Sequence, residues 1–200
     1  RPAGIQDASR DPAARYPGVL FMTAGKPRLS NCTLTINGEE VDTRVDPRQS
    51  IGDFVREDLN LTATHLACEH GVCGACTVLL DGEPVRGCIT FVPSCEGRKV
   101  QTLEDFAEEP LMNLIRDCFS EAHGLQCGFC TPGMLLMTRD ILLRGAAISP
   151  EAVRLELSGN ICRCTGYAGI VKAVLLASER AVEKGFVPGN RRHSGKEAVA

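Results

Sequence analysis

The chain has 200 residues, 44% of them hydrophobic and 24% charged, with a formal net charge of −3. That length can bury a core in one or two domains. The acidic balance excludes the usual profile of a nucleic-acid binder, and runs such as "GMLLM" are far too short to span a bilayer.

The unusual feature is cysteine: 11 of them, beside two Tyr and no Trp. An odd count argues against a fully paired disulfide framework, which belongs mostly to small secreted domains. The cysteines are expected as reduced thiolates in a reducing compartment, with the cytoplasm as default location. The sequence begins at Arg1 rather than Met, so a periplasmic mature form stays open. No signal-peptide or twin-Arg pattern is visible.

Residues 1–30 carry Pro2, Pro12, Pro17 and Pro27 among scattered charge and read as an N-terminal extension or tail. Short strands and turns follow. "CTLTI" alternates, Asn37-Gly38 makes a hairpin turn and "EEVDTRV" returns. Ser50 and Asp53 form a capping-box pattern at the start of "IGDFVREDL", a short helix. "CTVLL", the turn Asp81-Gly82, "EPVRG" and "RKVQT" complete a small mixed sheet crossed by that helix.

After Pro110 the period becomes helical. Leu111, Leu114, Ile115, Cys118, Phe119 and Ala122 share a face, and Gly124 is placed to end that helix. Thr131 and Pro132 look like the N-cap and first-turn proline of a second helix, running to Arg144-Gly145 and apolar nearly all round, hence buried. Ser149 and Pro150 repeat the device before "EAVRLEL". A last helix runs from about Gly169 to Lys184, with Ile170, Val171, Val174, Leu175, Ser178, Ala181 and Val182 together. Four helices with short links predict a bundle. "GNRRHSGKEAVA" reads as a C-terminal tail over 187–200.

The cysteines fall into two patterns. "CEHGVCGAC" and "RGC" give Cys68-x4-Cys73-x2-Cys76, then Cys88 across a hairpin. This is the plant-type ferredoxin spacing for a [2Fe–2S] cluster. Gly71, Gly74 and Ala75 leave room for backbone amides to approach the sulfurs. Zinc usually takes paired C-x2-C knuckles, and this loop has one. A Rieske centre needs two His, and His70 has no second His near Cys73 or Cys76. His70 is expected to make a loop hydrogen bond instead.

"QCGFCTPG" supplies Cys127 and Cys130, and "NICRC" supplies Cys162 and Cys164, each just before a helix. Two such loops can face each other across one end of a bundle, where helix N-termini favour an anionic thiolate site. Spacing by itself leaves both zinc and a second cluster open. Of the three other cysteines, Cys118 lies on an apolar helix face, and Cys32 and Cys95 are expected to be structural. Phe129 and Tyr167 read first as packing residues, and Arg163 as either a solvated arginine or a tuner of cluster charge.

A plant-type loop followed by "QCGFCTPG" and "GNICRCTGY" resembles the iron–sulfur subunit or domain of the molybdenum hydroxylases, the xanthine dehydrogenase, aldehyde oxidoreductase and carbon monoxide dehydrogenase family. The resemblance covers about residues 31–186 with all eight cluster cysteines. It implies an α+β chain: a β-grasp ferredoxin domain over 31–106, then a four-helix bundle over 107–186, each with one [2Fe–2S] cluster. The first cluster would sit on Cys68, Cys73, Cys76 and Cys88, the second on Cys127, Cys130, Cys162 and Cys164. Gln126 matches the family position that contacts the molybdopterin cofactor, expected in its cytosine dinucleotide form on a large partner subunit. A medium FAD subunit would be the next carrier, in a heterotrimer or a dimer of heterotrimers. The chain itself would hold no catalytic residue; it would carry electrons one at a time from the molybdenum site outward. Alternatives are a reductive relative of the hydroxybenzoyl-CoA reductase type, a cytochrome-linked aldehyde dehydrogenase, a free ferredoxin-like carrier and a zinc-stapled module.

Overall fold

The computed structural model describes residues 29–145 and 149–187. The expected extension and C-terminal tail, but for their inner ends, lie outside the described residues. Strands β1 (Ser30–Ile36), β2 (Glu39–Val45), β3 (Thr77–Leu80), β4 (Glu83–Arg86) and β5 (Lys99–Gln101) form one sheet in the order β2-β1-β5-β3-β4. Only β1 and β5 pair in parallel; the other three pairings are antiparallel. Both hairpins turn on two residues at positive φ, Asn37-Gly38 at 50° and 85° and Asp81-Gly82 at 52° and 87°. Those angles match the twist of the strands they join.

Alternation places Cys32, Leu34 and Ile36 of β1 on the inner face, against Ile51, Phe54 and Val55. The last three come from a helix, α1 (Ile51–Asp53), that runs on as a π turn over Phe54–Asp58. Its start is fixed as the sequence predicts: the Asp53 amide donates to Ser50 Oγ at 3.0 Å, and the Ser50 hydroxyl donates to the Asp53 carboxylate at 2.6 Å. The widening into a π turn was not expected; there the Leu59 amide reaches back to the Phe54 carbonyl.

Helices α2 (Pro110–Glu121), α3 (Thr131–Arg144), α4 (Pro150–Glu156) and α5 (Ala168–Glu183) share a second core, built on Met112, Ile115, Phe119, Met134, Ile141 and Val174. Helix α3 is buried on most sides, because it also lies against the sheet. All four β3 residues are buried for that reason: Val78 and Leu80 enter the first core and Leu79 the second. Among the described residues no helix is long and apolar enough to cross a membrane.

Three local expectations need correction. Helix α2 stops at Glu121, and the left-handed residue after it is His123 at φ 53°, not Gly124. Gly124 instead fills a tight space, since a Cβ there would lie 3.0 Å from the Phe119 ring. The N-cap of α3 is Cys130; Thr131 is already helical, and its hydroxyl is buried without a partner. In α5 the buried stripe runs through Ile170, Ala173, Val174, Ala177 and Ala181, and leaves Val182 exposed. The stripe turns on alanines, whose short side chains let α2 approach α5.

Candidate metal centres

The loop between α1 and β3 carries Cys68, Cys73 and Cys76, and the turn after β4 brings Cys88 to them. Cys76 is buried and the other three are half-buried. The Cys73 amide donates to Cys68 Sγ at 3.4 Å. Amides of His70, Cys73 and Val72, the His70 one foremost, bring the Cys68 thiol down to about 6. Cys88 is pushed up to about 12, first by burial, then by its hydrogen bond with the Cys76 thiol; the Gly71 amide opposes this. These contacts link Cys68 with Cys73 and Cys76 with Cys88, and the Cys68 charge also acts on Cys88. The His70 ring bonds to the Cys68 carbonyl, the loop role expected for it.

The second group sits where α3 and α5 begin. Cys127 and Cys164 are exposed, Cys130 is half-buried and Cys162 is buried. The sulfurs of Cys164 and Cys127 lie 3.5 Å apart. The Phe129 amide, then the Cys164 thiol, lower Cys127; the same contact raises Cys164. Burial, then contact with Cys162, pushes Cys130 up to about 12. For Cys162 burial is the largest single influence and raises it. The Thr165 hydroxyl, 3.2 Å away, together with the Thr165 and Cys164 amides and the Cys130 thiol, outweighs burial and leaves it lowered. Each group thus holds thiols shifted in both directions. Binding as thiolates would release the held protons.

Among the described residues no three His, Cys, Asp or Glu side chains gather around one point as a single ion requires. The contacts run pairwise, Cys68 with Cys73, Cys76 with Cys88, Cys127 with Cys164 and Cys130 with Cys162, and pairing suits a two-iron centre with two thiolates per iron. The donor set fits such a centre: four sulfurs in each group, with backbone amides directed at them.

The two groups meet along a seam. The Ile161 amide donates to the Cys73 carbonyl at 2.8 Å. Asn160, buried, donates from Nδ2 to the Gly74 carbonyl at 3.2 Å. Gly74 has φ 71°, and a Cβ there would lie 2.5 Å from the Gly159 carbonyl. Arg86 donates to Thr77 Oγ1 at 2.6 Å, to the Gly159 carbonyl at 2.7 Å and to Asn160 Oδ1 at 3.3 Å. On the other side His65 bonds to the Phe129 carbonyl at 2.7 Å and stacks on its ring, centroids 4.7 Å apart.

Tyr167 packs on the helical core, as expected, but its hydroxyl also accepts from the Cys162 amide at 2.9 Å and reaches the Asn160 carbonyl. Sequence reasoning missed this, along with the roles of Arg86, His65, Asn160 and Thr165. Asn160 and Thr165 flank "ICRC" closely enough to be found; Arg86 and His65 are distant in sequence and carry no spacing signal. Gln126 is exposed beside Cys127. Arg163 is exposed and pairs with no carboxylate among the described residues. Cys32, Cys95 and Cys118 are buried in the two cores, away from both groups.

Comparison with known proteins agrees with this division. Residues 34–96 match the family described as 2Fe-2S iron-sulfur cluster binding domain, and residues 102–175 match a [2Fe-2S] binding domain. The chain is 47% identical to caffeine dehydrogenase subunit gamma of Pseudomonas sp. (strain CBB1), over 71% of this chain and 87% of that one. It is 31% identical to the aldehyde oxidoreductase iron-sulfur-binding subunit PaoA of Escherichia coli (strain K12), over 74% of this chain and 71% of that one. Among solved structures, quinoline 2-oxidoreductase from Pseudomonas putida 86 superposes with a TM-score of 0.73 at 42% identity, covering 80% of this chain and 99% of the matched one. The chain belongs to the xanthine dehydrogenase/aldehyde oxidoreductase family of molybdenum hydroxylases, as a small iron–sulfur electron-transfer subunit of an oxidoreductase complex.

Proposed function

We propose that Cys68, Cys73, Cys76 and Cys88 hold one [2Fe–2S] centre and Cys127, Cys130, Cys162 and Cys164 the other. When bound, each centre takes up and passes on one electron at a time. The chain's residues set the route. Thiolates fix the centres, loop amides stabilise their negative charge, and the seam holds the two ligand loops in direct contact. In this reading the first half is a β-grasp ferredoxin domain over 31–106 and the second a four-helix bundle over 107–186.

The observation that carries this reading is the exposure of the second group, with Cys127, Cys164 and Gln126 on the surface, joined through Ile161 and Cys73 to the first. A docked large subunit would place its molybdopterin against Gln126 and the second centre. The first centre would then pass electrons to FAD on a medium subunit. The relatives named for caffeine and quinoline point to an N-heterocyclic substrate on the large subunit.

Purification of the tagged chain from its native host tests this. The reading expects two larger chains to follow it, with molybdenum and FAD in equal amounts. Isolation of the chain alone, with iron bound and no molybdenum in any fraction that contains it, would contradict it and favour a free carrier.

A further inference from the structure

Arg86 occupies an unusual place. Its guanidinium donates to Thr77, the residue after Cys76, and to Gly159 and Asn160, just ahead of Cys162. Its own backbone leads through Gly87 into Cys88. The side chain is therefore anchored in both ligand loops at once. It is half-buried, and each of its acceptors is a neutral oxygen. Among the described residues it pairs with no carboxylate, a trait it shares with Arg56 and Arg116; what sets it apart is that its acceptors stand beside both ligand groups.

Partial burial of a cation without an anionic partner is costly. Neutral acceptors do not by themselves call for a cation. A permanent charge at this place gains an anionic partner when negative charge arrives in the ligand loops. Two thiolate-bound centres supply it, and each reduction adds one negative charge on either side of the seam.

We propose that Arg86 is a shared counter-charge that raises the reduction potentials of both centres together. This rests on the ligand assignment above. Lysine would keep the charge and lose the forked geometry, while glutamine would lose the charge and keep at most part of the hydrogen bonding.

The test is a redox titration of the intact complex, followed by electron paramagnetic resonance, for the parent, R86Q and R86K. In R86Q both midpoints are expected to fall, by about tenfold in the reduced-to-oxidised ratio at fixed potential, which for one electron is about 59 mV. In R86K both should stay near the parent values. Unchanged midpoints in R86Q, or a fall in one centre alone, would overturn the proposal. So would a fall in R86K as large as that expected of R86Q, which would assign the effect to hydrogen-bond geometry; should R86Q fail to assemble, such a fall in R86K still overturns the proposal. Absence of two signals in the parent would instead defeat the ligand assignment, so the two failures are distinguishable.

Discussion

The Ile161 amide donates to the Cys73 carbonyl across 2.8 Å, and the residue after Ile161 is Cys162. One hydrogen bond and a few covalent bonds thus separate a cysteine of the first group from a cysteine of the second. For an electron carrier this contact has two consequences. It gives a short bonded route between the groups, and it makes their spacing a property of the backbone rather than of mobile side chains.

Replacement of Cys162 by Ser should remove the second centre and stop turnover of the assembled enzyme, while the first centre's spectrum persists. C118A is the control, since Cys118 lies in the helical core at 0% exposure. It should lose about 1 kcal/mol of stability or less and keep all its iron. Iron analysis with spectroscopy on both variants checks this; full turnover in C162S would remove that cysteine from the ligand set.

Gly74→Ala should break the seam. The added Cβ would meet the Gly159 carbonyl at 2.5 Å and Asn160 at 2.7 Å, on a backbone at φ 71°. A cost of about 3 kcal/mol or more is expected. Gly82→Ala has a similar φ of 87° with nothing within 4 Å, so it should cost only about 1 kcal/mol. Thermal melting of the two variants separates steric contact from backbone strain. Equal losses would mean that the seam tolerates the methyl group.

Tyr167→Phe removes one hydroxyl and little volume. The Cys162 amide then loses its acceptor, now at 2.9 Å. A loss of about 1–2 kcal/mol is expected, with a changed resonance line shape for the second centre only. A change in the first centre would show that Tyr167 acts through the seam rather than on its own loop.

Asp81 links the tip of the second hairpin to β5. The Lys99 amide, foremost, and the Arg98 guanidinium hold its carboxyl below the usual carboxylate range. A folded-state value below the unfolded one means that the charged form favours folding. That contribution is present above the unfolded value of about 4 and is lost as pH falls through the folded one. D81N should therefore melt lower than the parent at pH 7, and the gap should close in acid, below about pH 4. Asparagine tolerates the left-handed backbone at this position and keeps one acceptor oxygen for the Lys99 amide, so the substitution removes the charge together with the oxygen that accepts from Arg98. A gap that stays constant with pH would assign the effect to geometry.

Much of this was legible in the sequence because it is local. The hairpins follow from Asn37-Gly38 and Asp81-Gly82, the start of α1 from Ser50 and Asp53, and the first thiol group from its spacing, while the second rests on two cysteine pairs that each precede a helix and on the family resemblance. The parts that were not legible depend on long-range packing. Nothing near Arg86 says that its side chain will meet Gly159, 73 residues on. His65 gives no sign of stacking on Phe129, since the pairing exists only once the two halves dock. The α5 stripe was misjudged for a related reason. Ala173 and Ala177 carry little hydrophobic weight, yet close approach to α2 buries them, while Val182 lies past the contact.

The central claim is that one chain holds two [2Fe–2S] centres on these eight cysteines. Electron paramagnetic resonance of the dithionite-reduced protein, purified anaerobically in its native complex, tests it most directly. Two distinguishable half-spin signals of equal intensity are predicted. A single signal with half the iron would contradict the account, leaving the ferredoxin loop its cluster and returning the "NICRC" site to zinc.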